Sequence, residues 1–142
     1  MNAMQIAILI FTLIEITNVL TLYFNPGSKI GNGVGVFTAW EESKHDYNIH
    51  SLIKYLVNWV AGAKLIFILI SLVVVFYGSY QVQLLTTLAL IISILSFYWR
   101  LFPAIKKLDK EGHIDPKGYS IGLGRMITGF IIVFLIVTII SL

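Results

Sequence analysis

Four long apolar stretches constrain the fold of this chain more than any other feature of its sequence. They cover residues 4–24, 52–77, 80–102 and about 119–142. Each reaches the ~20 residues that an α-helix needs to cross a hydrocarbon core about 30 Å thick. Because backbone groups in lipid must be satisfied within their own segment, each stretch is predicted to be helical. The predicted fold class is therefore all-α: a polytopic integral membrane protein, a four-transmembrane-helix bundle forming a single membrane domain.

The composition agrees with a membrane protein. Hydrophobic residues make up 58% of the chain and charged residues 12%, whereas about a quarter of the residues in soluble domains are charged. The first stretch lacks the basic region and small-residue cleavage site of a signal peptide, so it is expected to remain in the protein. The absence of cysteine excludes disulfide and thiolate chemistry.

The distribution of basic residues predicts an orientation. Lysine and arginine cluster in and beside two long links, residues 25–51 and 103–118, whereas the N-terminal tail, the turn at 78–81 and the C-terminus carry none. By the positive-inside rule both links are cytoplasmic and both termini lie outside, in a multi-pass protein of the plasma (inner) membrane. The net charge of +3 then reflects topology and attraction to anionic lipid headgroups, and it does not indicate nucleic acid as a partner.

Each link is predicted to contain a short interfacial helix. Thr38 and Glu41 have the spacing of a capping box, and the stretch AIKKLDKEG is expected to form a brief helix that ends at Gly112. Pro103 is expected to end or kink the third span. The glycine-rich segment 27–35 matches neither phosphate-binding spacing and follows a membrane helix rather than a strand. A re-entrant loop at this segment remains an alternative.

Polar and small residues recur at helical spacing, so that each span has one polar or small face. The simplest assembly packs these four faces together, and small residues are typical of close helix packing in membranes. The faces comprise Thr12, Glu15 and Asn18; Lys54, Asn58, Ala61 and Lys64; Thr86, Ser93, Ser96 and Arg100; and Gly118, Gly122, Arg125 and Gly129.

Two charged residues lie deep in the predicted spans. Glu15 is the only acid within any span and Lys64 the only deep base, and helical rise places them about 16 and 18 Å from opposite surfaces. We predict a mid-membrane polar site of Glu15, Asn18, Asn58 and Lys64, in which the two charges face each other. Three interpretations stay open: a structural ion pair, a titratable site that responds to substrate or ion, and a lone neutral Glu15 with Lys64 in a separate wet cavity.

A second group of basic residues is predicted at the cytoplasmic side. Lys54, Arg100 and Arg125 lie at similar levels of three spans, and Arg125 shares the glycine face. They are interpreted either as a basic inlet that attracts anions or as side chains that snorkel to lipid phosphates.

The links also contain weak candidates for metal ligands, although no cofactor is expected. Solvated loop residues are the simpler interpretation, and no serine–histidine–aspartate or cysteine–histidine order is recognisable. The candidates are His45, Asp46, His50, His113 and Asp115.

The layout of four short spans with Glu15 midway along the first resembles the small multidrug-resistance transporters. The resemblance implies a cation-binding glutamate, and this chain departs from it in its long charged links and in Lys64. The leading prediction is a transporter or channel component that works as a homo-oligomer through Glu15 and Lys64. The alternatives are a non-catalytic membrane subunit or anionic-lipid-binding adaptor, with a possible partner subunit, and a metal-dependent enzyme acting on a lipid.

Overall fold

The computed structural model describes all 142 residues, and its long helices follow the four apolar stretches. Four helical segments are long and apolar enough to cross a membrane, the third being formed by α4 and α5 together. The chain has no β-strand, so the all-helical prediction is confirmed. The helices are α1 (Ala3–Phe24), α2 (Thr38–Ser43), α3 (Tyr47–Tyr77), α4 (Tyr80–Leu95), α5 (Leu101–Lys110) and α6 (Tyr119–Ile140).

The second long helix begins earlier than predicted because of a cap. The Asp46 carboxylate accepts hydrogen bonds from the backbone N–H groups of Asn48 at 2.9 Å and Ile49 at 3.2 Å. An aspartate at this position satisfies donors that have no partner within the helix. Helix α3 therefore starts at Tyr47 rather than at residue 52 and contains 31 residues.

The third span is broken rather than continuous. Helix α4 ends at Leu95, a 3₁₀ turn covers Ser96–Tyr98, and α5 begins at Leu101. Pro103 explains the position of the break, because it has no N–H to donate to the carbonyl of Trp99 and its ring would clash there. In the first turn of α5 the missing N–H costs nothing, since that donor would have no helical partner.

The long helices form a ring in which α1 packs mainly on α3 and α4 mainly on α6. We call the end that carries both chain termini the terminal end and the opposite end, with both links, the link end. Residues from all four long helices fill the interior of the terminal half, and the ring of Phe11 lies 5.2 and 5.5 Å, centroid to centroid, from those of Phe130 and Phe134. This core contains Ala7, Ile8, Phe11, Val75, Leu90, Ile91, Ile131 and Phe134.

The orientation of α6 corrects a prediction. Gly122 and Arg125, expected on an inward face, are exposed, whereas Gly124, Ile131 and Phe134 are buried. Gly122 and Arg125 each precede one of the two bulky core residues by nine positions, which is two and a half helical turns and hence the opposite face. Because bulky side chains fill the interior, the glycine and arginine face is turned outward.

Helix α4 shows the same reversal. Thr87 is fully buried, and Ser96, nine positions later, is exposed on the opposite face. Ser93 and Arg100 are also exposed. The predicted inward face of this span is therefore wrong, and a buried Gln83 takes part in the interior instead.

The two links are joined to each other. The N–H of Thr38 donates to the carbonyl of His113 at 3.0 Å, and the N–H of Asp115 donates to the carbonyl of Val36 at 2.8 Å. Lys29 forms an ion pair with Asp115. This short antiparallel pairing buries Val36 together with the neighbouring isoleucine of the second link, so the links form one layer at the link end.

Asp109 connects α5 to the start of α6. Its carboxylate accepts hydrogen bonds from the Ser120 hydroxyl at 2.6 Å and from the backbone N–H groups of Ser120 at 2.9 Å and Gly118 at 2.8 Å. The charged side chain thus caps a helix that has no cap of its own.

Two glycines of α6 test its orientation. A Cβ on Gly124 would lie 2.9 Å from the Phe102 ring, whereas one on Gly122 would meet no atom within 4 Å. We expect Gly124→Ala to lower the free energy of unfolding by about 1–3 kcal/mol through overpacking. The matched Gly122→Ala should leave it unchanged or raise it by up to about 1 kcal/mol. Denaturant titration of both variants in mild detergent measures this, and a larger loss in Gly122→Ala would contradict the orientation.

Candidate functional site

The deep acid and the deep base are in contact. Helices α1 and α3 run antiparallel, and at 1.5 Å per residue Glu15 and Lys64 lie about 18 and 20 Å from the terminal end of their helices. Lys64 Nζ forms an ion pair with Glu15 Oε2. The side-chain amide of Asn18 donates to the other carboxylate oxygen, Oε1, at 3.2 Å. Both oxygens of the carboxylate are therefore bound by side chains of the same chain.

The pair lies in a regular packing stripe, which we call the α1–α3 seam. Its positions alternate in steps of four and three, the spacing of a coiled-coil heptad. All of these residues are buried except the two charged ones, whose side chains are 12% and 27% exposed. The seam consists of Met4, Ile8, Phe11, Glu15, Asn18 and Leu22 in α1, and Val57, Ala61, Lys64, Ile68, Ser71 and Val75 in α3.

The steps of the seam run in opposite directions along the two helices. Starting from the Glu15–Lys64 contact, seven residues forward in α1 and seven backward in α3 give Leu22 and Val57, which share one apolar cluster. At the other end of the seam, Gln5 Nε2 donates to the carbonyl of Val75 at 2.9 Å. One register therefore accounts for the contacts at both ends and for the ion pair between them.

The glycine-rich link folds back along the last two turns of α1. A Cβ on Gly31, which has φ +64°, would lie 3.1 Å from Thr21 Oγ1 and 3.4 Å from Asn18 Oδ1. The N–H groups of Val34 and Gly35 donate to carbonyls within the same loop, at 2.7 and 3.1 Å. Because these amides are already used, they are not free to bind phosphate, and the loop instead covers the link-end side of Asn18.

The fourth residue of the predicted site lies elsewhere. Asn58 is exposed and lies six residues, or about 9 Å, from Lys64 along α3. It follows the seam residue Val57 by one position and so points away from α1. The structure therefore brings together Glu15, Asn18 and Lys64 but not Asn58.

The predicted basic inlet is not assembled within one chain. The guanidinium of Arg100 lies 5.5 Å from the ring centroid of Trp99, and Arg125 is exposed on the outer face of α6. Lys54 lines a surface depression on α3 that includes neither arginine. The three residues lie at similar depths along their helices, but they do not line one common pocket.

The candidate metal ligands are dispersed as well. His50 Nδ1 lies 2.9 Å from Ser43 Oγ, Asp46 caps α3, and Asp115 pairs with Lys29. The other two histidines are exposed. No group of three or more histidine, cysteine, aspartate or glutamate side chains is placed to hold a metal ion.

A polar cluster at the terminal end was missed by sequence reasoning. The buried Gln83 accepts a hydrogen bond from the Asn2 side chain at 2.7 Å and donates to the carbonyl of Gly78 at 2.8 Å. The Asn2 side chain also caps α1 by accepting from the N–H of Gln5 at 2.9 Å. Gln83 shares a helix face with Thr87, Leu90 and Ile91, and this spacing in the sequence could have identified it as a buried residue.

The fold and the seam define an all-helical protein with four helices able to span a membrane and one internal ion pair. No protein-family model, curated protein or solved structure matches the chain. The resemblance to small multidrug-resistance transporters implied a glutamate free to bind a cation, whereas Glu15 is bound by Lys64 and Asn18.

Two asparagines test the composition of the site. We expect Asn18→Leu to lower the free energy of unfolding by about 1 kcal/mol, because it removes a buried hydrogen bond to the carboxylate. The matched Asn58→Leu changes an exposed side chain and should have little effect. Thermal unfolding of both variants in the same detergent measures the difference, and equal losses would place Asn58 in the site after all.

Proposed function

We propose that the chain is a non-catalytic integral membrane module in which Glu15 and Lys64 form a structural clasp. The observation that supports this most is that Lys64 and Asn18 each bind one oxygen of the Glu15 carboxylate within the α1–α3 seam. A single polar position in an otherwise apolar seam sets the register of two helices. The module would present its two joined links to anionic lipid or to a partner subunit at the membrane surface.

Exposed aromatic residues support insertion in a bilayer. Trp59, within α3, and Tyr77, its last residue, are exposed and are separated by about 27 Å of helix, close to the ~30 Å of a hydrocarbon core. Tyr23 and Trp99 are exposed at the link end, and Tyr80 at the terminal end. Tryptophan and tyrosine are enriched at both membrane surfaces.

The proposed orientation places the link end in the cytoplasm, on the basis of its lysines and arginines. The chain contains no cysteine, so single cysteines can report accessibility without a background. We expect a membrane-impermeant thiol reagent to label Ser79→Cys, at the terminal end, in intact cells. Lys110→Cys, at the link end, should react only after the membrane is permeabilised. The reverse pattern would invert the topology, and labelling of both in intact cells would argue against a spanning bundle.

A transporter remains the second candidate. The side chain of Lys64 is 27% exposed, so the ion pair is accessible from outside the seam to water or to a second copy of the chain. The interior of the terminal half is filled by core side chains, so a conduit would require a homo-oligomer. The metal-dependent enzyme gains no support, because no three of its candidate ligands are placed together to hold a metal ion.

Flux measurements separate the module from the transporter. We expect purified protein in vesicles with a trapped pH-sensitive dye to show the same proton and potassium permeability as protein-free vesicles. This follows from a closed core and a carboxylate whose oxygens are both bound. Flux above the protein-free level that is lost in Glu15→Gln, with that variant still eluting as a single species, would replace the module by the transporter.

A further inference from the structure

A polar groove beside the first turns of α3 contains none of the seam residues. It has a volume of about 530 Å³ and lies where α2 meets the start of α3; we call it the α3 groove. Five of its seven lining residues are polar or basic rather than hydrophobic. The lining residues are Lys44, Tyr47, His50, Ser51, Lys54, Tyr55 and Asn58.

The charges of the α3 groove favour an anion. No carboxylate lines the groove. Lys44 is held at 2.7 Å by both carboxylate oxygens of Glu41, whereas Lys54 forms no ion pair in the chain. The hydroxyls of Ser51 and Tyr55 add hydrogen-bond donors beside it. A cation with neighbouring donors and no competing acid is suited to a phosphate group.

The level of the groove identifies the source of that phosphate. Counting from Tyr77 at the terminal end, Asn58 lies about 28 Å and Lys54 about 34 Å along α3. In a bilayer with a hydrocarbon core of about 30 Å, the first residue is at the hydrocarbon boundary and the second at the headgroups. The exposed ring of Trp59 would lie beside the acyl chains just below.

We infer that the α3 groove binds the phosphate of an anionic phospholipid headgroup, with Lys54 as the charged contact. Ser51 and Tyr55 donate hydrogen bonds to the phosphate oxygens, and Asn58 lies at the glycerol level. This inference rests on the proposed insertion in the membrane and adds a defined lipid site to it. A site on the wall of α3 would anchor the link-end half of a helix that extends well beyond the hydrocarbon core.

The other basic surface serves as a control. Lys106, Lys107 and Lys110 line a depression on α5 together with an acid, Glu111, whose carboxylate lies 3.8 Å from Lys107. Lys110 is exposed and unpaired. Its replacement by glutamine removes the same charge as Lys54→Gln without touching the groove.

Native mass spectrometry of the detergent-purified protein tests the inference with phosphatidylglycerol and phosphatidylcholine as probes. We expect wild type to retain phosphatidylglycerol preferentially and Lys54→Gln to bind it about fivefold more weakly, the effect of one lysine near an anionic surface. Lys54→Arg should retain binding, and Lys110→Gln should match wild type.

Other outcomes would overturn the inference. Equal retention of the two lipids would show that the charge of the headgroup is not recognised. An equal loss in Lys54→Gln and Lys110→Gln would leave only general attraction to basic surfaces. Competition by inorganic phosphate without a preference between the lipids would assign the groove to a soluble anion. Vesicle flotation of each variant separates these results from failure of the proposed function, because a chain that does not insert would not float with vesicles of either composition.

Discussion

The Glu15–Lys64 ion pair is the interaction on which the rest of the structure depends. Charged groups within a bilayer cost several kcal/mol unless they are paired or hydrated. In the α1–α3 seam only one register brings the two together, and a slip of one heptad would leave both without a partner. The apolar seam residues provide packing area, but aliphatic side chains fit many registers. We therefore propose that the ion pair contributes specificity more than stability.

The register of the seam determines what the other elements can reach. It brings Phe11 into the aromatic core beside Phe130 and Phe134. It also sets Asn18 at the height where the glycine-rich link folds back on α1. On α3 it turns Lys64 toward α1, whereas Lys54, three residues before Val57, lies just beyond the level where α1 ends and is exposed. The closed interior and the basic surface at the link end follow from the same alignment.

Sequence reasoning predicted the four long helices and the facing charges, because span length and helical rise depend only on local geometry. It did not predict the outward faces of α4 and α6. Small and polar residues such as Ser93 and Gly122 were expected inside, whereas the volume that fills the interior comes from residues such as Phe134. The heptad spacing of the seam was present in the sequence but was obscured by the three-residue spacing of Thr12, Glu15 and Asn18. The pairing of the links depends on contacts distant in sequence.

A double-mutant cycle on Glu15→Gln and Lys64→Met, followed by unfolding in detergent, tests the clasp most directly. Glu15→Gln combined with Lys54→Met supplies a matched control for an unpaired lysine. The account predicts a coupling energy above about 1 kcal/mol for the first pair and additive effects, within about 0.5 kcal/mol, for the control. Negligible coupling between Glu15 and Lys64, together with proton uptake by the purified protein that disappears in Glu15→Gln, would contradict the clasp and make Glu15 a working ionisable site.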